Sequence, residues 1–540
     1  CANVALDGDD GQAPEPPLMD HDDAGVTVRP LAGSQASARF PAGSFRLSWA
    51  PGAVDQAGRD EALFLDGRTR DLPWITLRTA PTNGIHLSLT AALIPASNLA
   101  GQDLIEPDLA GQDLPFWDGI SASVRLRPPA GSTLAPEISR LDTVLPWFAH
   151  DALIHYLSPR GLEQSTGGAW GTRDVCQGPV GLLIALGQTA PLRDLIVRVF
   201  QAQNARGDWP QSFDFYPREA LGGQDAHGDV VFWPVLALGE YLAVTGDDSL
   251  LAERISFVDG RGATATEPLL EHVRRALNLI ASSTVPGTPL PAYGHGDWND
   301  SLQPADPLLA ARLCSTWTAT LQVQALGTLA GSLRAVISRL DGQGAAQTDV
   351  QSDVQSDGQG AGQIAGHSDG QRAEIIGYAE QCEHIADETA QALRTLLMRD
   401  GLLAGYGLFG DDGSIEHLVH PCDHRTGLRY GLLQIIHAIS GDLLSPGEAR
   451  QHLDVLDKHL IGPDGARLFD RPARYHGGPM EVFQRAEAST FFGREIGIMY
   501  THAHLRYAEA LARHGDAEEL LKALALANPI GVTSRVPNAR

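Results

Sequence analysis

Two aspartates flank an indole in the stretch AYGHGDWNDSLQP, residues 292–304: Asp297 and Asp300, with Trp298 and Asn299 between them. An acid that protonates a leaving oxygen has to be held rigidly and partly desolvated, so that its pKa rises toward working pH. A neighbouring tryptophan supplies an apolar wall and a face on which a sugar ring can stack. The same residues also suit an Asx-rich turn, in which Asp297 and Asn299 accept bonds from backbone amides.

Three further stretches carry chemistry-bearing side chains. In GGAWGTRDVCQGP, residues 167–179, Arg173, Asp174 and Gln177 stand at a helix entrance behind glycines. Arginine offers a planar fork of donors for hydroxyl, carboxylate or phosphate oxygens, and an Arg–Asp pair capping the helix is the equal alternative. In DAHGDVVFWP, residues 225–234, Asp225, His227 and Asp229 precede an apolar helix, where Asp229 fits the N-cap. In FFGREIGIMYTHAH, Arg494 and Glu495 are followed by His502 and His504. His502 near an arginine suits an anion, and His504 reads as a structural residue. A His-x-His pair can ligate a metal, but no third ligand stands at useful spacing and no metal is expected. All four stretches fall at loop-to-helix junctions, as a site at one mouth of a helical barrel requires.

The elements that hold these residues follow from composition and periodicity. The 540 residues are 43% hydrophobic, enough for a large core and more than one domain. Asp and Glu number 66 against 40 Lys and Arg, a formal charge of −26. That field repels a phosphate backbone, so no nucleic-acid partner is expected. No apolar run reaches the ~18 residues of a membrane span. The five cysteines are scattered without a CxxC pair, which fits neither a disulfide framework nor a zinc site and points to a reducing cytoplasm.

Residues 1–25, rich in Asp, Gly and Pro, read as a disordered lead-in. Over 26–130 the period is two: Ile85, Leu87 and Leu89 alternate, as do Ile120, Ala122, Val124 and Leu126, which predicts an antiparallel β-sandwich. Residues 131–145 look like a linker. From 146 to 540 the period is helical. Leu270, Val273, Leu277 and Ile280 line one helix face. Ser445, Pro446 and Glu448 predict a capping box ahead of the stripe Ala449, Leu453, Leu456 and Leu460. Residues 341–371, with their TDVQSDVQSDGQGAGQ repeat, read as a disordered insertion. The fold class expected is mainly α, an (α/α)6 toroid preceded by an antiparallel β-sandwich.

In this order, GTRDVCQGP, HGDVVFW, GHGDWNDSLQ and REIGIMYTHAH resemble the inverting phosphorylases of glycoside hydrolase family 94, over about residues 140–530. The resemblance implies Asp300 as general acid and Trp298 as a sugar contact, with Asn299 and Asp229 lining the substrate site. Arg173 and Asp174, with Gln177, would hold the sugar at the reacting subsite. Glu495 would be a sugar-site acid, Arg494 stands where some members have Lys, and His502 would bind phosphate together with Arg173. Gln177 is followed by Gly178 where several members have Asp. The family's Thr-Gly phosphate loop, closing helix and C-terminal β domain find no match before Arg540, so a fragment is expected. The GTRDVCQGP and GHGDWNDSLQPADP stretches look more like the β-1,2-glucan-acting members.

The implied reaction is phosphorolysis of a β-linked glucooligosaccharide to α-glucose 1-phosphate with inversion. The partners are oligosaccharide and inorganic phosphate, the latter a co-substrate, with no cofactor; a homodimer is the assembly the family implies. The alternatives are an inverting hydrolase, in which Asp174, Asp229 or Glu495 activates water, and a non-catalytic carbohydrate-binding fragment.

Overall fold

The structure is a computed structural model that describes all residues except 1, 4–16, 35–36, 38–40, 73, 93–118, 120–123, 158–169, 214–225, 260–261, 352–368, 476, 488, 490, 492–495, 532 and 534–540. Two compact units divide the chain: 1–116 with 164–168, and 117–163 with 169–540.

The first unit is β. Strands β2 (Leu18–Asp22), β3 (Gly25–Arg29), β4 (Ser44–Trp49) and β7 (Leu87–Ala92) form an antiparallel sheet in that order. A second sheet runs β1 (Ala2–Asn3), β6 (Trp74–Arg78), β5 (Gln56–Gly58). Val26, Val28 and Trp49 from one sheet and Ile75 from the other bury together, with Phe45, Leu47 and Leu77 against them.

The period-two expectation meets two corrections here. The lead-in is not wholly unstructured: Leu18–Asp22 pairs with Gly25–Arg29, Met19 opposite Val28. Its acidic residues hid the strand, yet an edge strand tolerates charge. Of the second alternating run, Ile120 and Ala122 lie outside the described residues, and Val124 and Leu126 lie in irregular chain. Leu89 does face Leu47 across β4 and β7, but it is 66% exposed. Alternation says which residues share a face; whether that face is covered is a separate matter.

The second unit is mostly helical. Its helices include α1 (Ala135–Leu157), α2 (Thr172–Val175), α3 (Gly178–Ala185), α4 (Thr189–Gln201), α5 (Phe232–Thr245), α6 (Leu269–Ser282), α7 (Thr316–Gln351), α8 (Asp369–Ala392), α9 (Leu433–Ser440), α10 (Pro446–His459), α11 (Thr501–His514) and α12 (Ala517–Ala527), with a further single turn at Pro307–Ala310. The expected stripes are buried: Leu270, Val273, Leu277 and Ile280 on α6, then Ala449, Leu453 and Leu456 on α10 with Leu460 just after it. Ser445 and Glu448 form the full capping box. Helices α5 and α7 cross closely at Gly239, where a Cβ would stand 2.9 Å from the Leu329 amide nitrogen, and Ser332 Oγ donates to the Gly239 carbonyl at 2.7 Å.

Two segment expectations are corrected. The linker 131–145 is largely helix, because α1 begins at Ala135. Pro136 sits in the first turn, where its missing N–H costs nothing, and Ile138 and Leu141 bury at helical spacing. The insertion 341–371 is not wholly disordered: α7 runs on to Gln351 and α8 starts at Asp369, with Ala345, Ala346 and Gln347 favouring helix. Residues 352–368 lie outside the described residues.

Candidate active site

The described stretches with charged side chains meet at the starts of helices, as their junction positions predict. No side chain caps α2, whose N-cap position is Gly171, so of the two readings the capping Arg–Asp pair is not the one seen. Arg173, 6% exposed, instead turns inward. Its Nη1 lies 3.6 Å from Asp229 Oδ2 and its Nη2 3.5 Å from Asp300 Oδ1. Gln177 Nε2 donates to the Arg173 carbonyl at 3.2 Å, closing the short helix below the guanidinium.

Asp229 is not an N-cap. Helix α5 starts after Val231 without a side-chain cap, and the Asp229 carboxylate is fully buried, accepting from Trp233 Nε1 at 3.0 Å. Burial opposes the charge on Arg173, but Asp229, Asp174 and Asp300 outweigh it and hold its pKa above the ordinary value. Burial also raises Asp174.

The DWND stretch is an Asx turn and part of the site at once. Asp297 Oδ1 accepts from the Asn299 amide at 2.9 Å, and Asn299 Oδ1 accepts from the Ser301 amide at 3.0 Å. Ser315 Oγ, just ahead of α7, donates to Asp297 Oδ2 at 2.6 Å. Asp297 is 1% exposed, and burial, then the charge on Asp229, push its pKa up to about 7. The Asp300 side chain, three residues on, is 39% exposed. The turn thus separates an inner carboxylate that cannot reach a ligand from an outer one that can.

The loop before α5 lies against this turn. Gly228 donates its amide to the Gly296 carbonyl at 2.9 Å. A Cβ on Gly228 would come within 2.5 Å of the Tyr293 carbonyl oxygen, so the approach needs glycine.

An aromatic wall completes the described site. The Trp298 ring lies edge-on to His502 at 5.2 Å and to Tyr500 at 5.4 Å, with Trp317 at 6.5 Å. Burial, then the charges of Arg506 and Arg173, lower the His502 pKa to about 4. At neutral pH His502 can therefore donate a hydrogen bond but adds no positive charge. His504 is structural: its Nδ1 accepts from the Ala466 amide at 3.0 Å, and its Nε2 meets the Ala523 carbonyl at 2.8 Å.

Arg494, Glu495 and Asp225 lie outside the described residues. Among the described residues no group of three or more His, Cys, Asp or Glu side chains could hold a metal ion, and no helix is long and apolar enough to cross a membrane. Sequence reasoning missed Ser315, Gln303 and Tyr500. Gln303 stood in the quoted motif, three residues after Asp300. Ser315 and Tyr500 carry the weaker signal of preceding a helix directly.

Residues 181–338 match the family model described as glycosyl hydrolase 94 superfamily, catalytic domain. That span holds Asp229 and Asp297–Asp300 but not Arg173 or His502. Over 407 residues the chain is 35% identical to the 1,2-beta-oligoglucan phosphorylase of Listeria innocua serovar 6a, covering 74% of this chain and 33% of that protein. Over 239 residues it is 26% identical to the cyclic beta-(1,2)-glucan synthase NdvB of Rhizobium meliloti, covering 41% of this chain and 8% of that protein. The chain thus spans a third or less of the length of these two relatives. A solved beta-1,3-1,4-glucanase from Paenibacillus sp. X4 covers 74% of this chain and 94% of its own at 10% identity, with a TM-score of 0.34, too low to bear on the fold. The family match over residues 181–338 and the 35% identity together support a place for the chain in the glycosyl hydrolase 94 superfamily.

Proposed function

We propose that the helical unit catalyses inverting phosphorolysis of a β-linked glucooligosaccharide, with β-1,2-glucan the favoured substrate, yielding α-glucose 1-phosphate and a shortened sugar. The observation that carries this reading is the 35% identity over 407 residues to a 1,2-beta-oligoglucan phosphorylase. In the same reading the helical unit is an (α/α)6 toroid, the β unit a sandwich, and the protein a cytoplasmic homodimer.

Asp300 is the proton donor. It combines exposure to a ligand with a fixed place beside Arg173, whereas Asp297 is buried and bonded to Ser315. The proton passes from Asp300 to the glycosidic oxygen as positive charge develops at the anomeric carbon. Phosphate attacks the opposite face and inverts the configuration. Already an anion, phosphate needs no carboxylate base, which an inverting hydrolase does need. Trp298 offers its ring to the sugar, and Asp174, Asn299 and Gln177 shape the subsite with Asp229 behind Arg173. Arg173 and the neutral His502 donate to the sugar or phosphate, with Arg494 and Glu495 as further substrate contacts.

The hydrolase alternative needs a second carboxylate in contact with water. Asp229 is fully buried and so does not serve, Asp174 is partly buried, and Glu495 lies outside the described residues.

The test is product analysis on β-1,2-glucooligosaccharides with and without inorganic phosphate. Phosphate-dependent α-glucose 1-phosphate is expected. Free glucose released in phosphate-free buffer would move the assignment to a hydrolase, and binding without turnover would leave a carbohydrate-binding fragment.

A further inference from the structure

His227 enters none of the roles above, yet it lies between Arg173 and the turn that carries Asp297 and Asp300. Its Nδ1 lies 2.9 Å from the Asp297 carbonyl oxygen. Its Nε2 lies 3.0 Å from Gln303 Nε2. Arg173 Nη1 stands 3.4 Å and Asp300 Oδ1 3.6 Å from Nδ1. The backbone is fixed as well: the His227 amide donates to Gln211 Oε1 at 3.0 Å, and His227 pairs with Gly294 in an isolated bridge.

The shortest contact on each ring nitrogen assigns the tautomer. A carbonyl oxygen only accepts, so at 2.9 Å Nδ1 carries the hydrogen that bonds Asp297, and Arg173 Nη1, itself a donor at 3.4 Å, makes no hydrogen bond to it. An amide nitrogen only donates, so Nε2 is the bare acceptor for Gln303. Gln303 is oriented in turn by Gln484, whose Nε2 faces Gln303 Oε1 at 3.5 Å, while the Gln484 backbone amide donates to the Gln303 carbonyl at 3.0 Å. The result is a directional chain, Gln484 to Gln303 to His227 to the Asp297 carbonyl, ending on the turn that carries Asp300. With its one hydrogen spent on that carbonyl, Nδ1 makes no hydrogen bond to Asp300.

We infer that His227 is a positioning residue: a neutral imidazole, protonated at Nδ1 and bonded between Gln303 and the Asp297 carbonyl, which fixes the Asp300 carboxylate against the glycosidic oxygen. This rests on the reading of Asp300 as proton donor. The charged groups facing the ring are Arg173 from α2, Asp229 from its own loop and Asp300 from the turn. Burial, with Arg173 adding to it, holds the His227 pKa below its usual value against the pull of Asp229 and Asp300, in keeping with the neutral form.

The ring can be read without turnover. In the full chain labelled with 15N-histidine, the signal lost in His227→Asn identifies this ring, and at neutral pH it should show a protonated Nδ1 and an unprotonated Nε2. An Nε2–H tautomer or an imidazolium there overturns the inference. Gln303→Glu puts a carboxylate acceptor on Nε2, which should convert His227 to the imidazolium at the same pH; a ring still neutral overturns the Gln303 contact.

Turnover supplies the readout that a merely structural role would not move. His227→Phe should lower kcat on glucan about 10- to 100-fold with KM little changed, the cost of a misplaced reacting group. His227→Asn, whose amide still donates to the Asp297 carbonyl, should restore most of that loss. Turnover of the β-glycosyl fluoride, whose fluoride leaves without an acid, should be nearly kept in both variants. Equal losses on both substrates overturn the positioning role. Wild-type activity on the fluoride with Asp300→Asn equally impaired on fluoride and glucan would instead discard Asp300 as the acid, while leaving the tautomer result standing.

Discussion

Two buried polar clusters in the helical unit differ in how their bonds are completed. Asp423 closes the 419–426 loop with bonds from the amides of Val419, Arg425 and Thr426 and from the Thr426 hydroxyl. It holds Val419 at a φ of +52°, a conformation that a β-branched residue avoids. Both Asp423 oxygens are bonded. Around Arg173 the contacts are charge to charge at 3.5–3.6 Å, and three buried atoms meet no protein hydrogen-bond partner: Arg173 Nε, Asp229 Oδ1 and Asn299 Nδ2. Native interiors rarely leave such atoms unpaired, and the exceptions gather where chemistry is done. The first cluster shapes a loop, and the second keeps charge ready beside a half-exposed carboxylate.

The largest break in this comparison is Arg173→Met. Removing the cation that faces both Asp229 and Asp300 leaves a buried charge uncompensated, which costs about 3–5 kcal/mol; denaturant unfolding should show that loss together with lost turnover. Asp297→Asn comes next and acts through pH. The Asp297 pKa is about 7 when folded against about 4 when unfolded, so the folded state binds the proton more tightly. The stability this contributes is fully present below pH ~4 and is lost as pH rises through ~7. Between those limits the variant's unfolding free energy should differ in its slope with pH by up to about one proton, the share of Asp297 alone.

Asp423→Ala should cost about 2–3 kcal/mol, because it strands buried backbone donors, while turnover per folded molecule is kept. If it lost turnover as Arg173→Met does, the two clusters would not differ in the way argued. The smallest effect is Ser445→Ala, about 1 kcal/mol for a lost cap, read as a lower midpoint of denaturation with activity unchanged.

Local rules were legible in the sequence wherever one element satisfied them alone. The Ser445 box and the stripes on α6 and α10 depend on spacing within a helix, and they stand as expected. Asp297, Asn299 and Asp300 were legible as a group, but not their division of labour. That division depends on Ser315 reaching Asp297 from the start of α7, and no local pattern encodes such a long-range contact. The same limit hid Asp229, whose N-cap position was a sound local inference overridden by Trp233 and Arg173.

The central claim is that Asp300 donates the proton, and the most direct measurement compares Asp300→Asn with the wild type on a β-1,2-glucooligosaccharide and on the β-glycosyl fluoride, both with phosphate. The account predicts a loss of about 10²–10⁴-fold on the glucan, the usual worth of a general acid, with turnover of the fluoride nearly kept. Equal losses on both substrates, or full activity on the glucan, would contradict it.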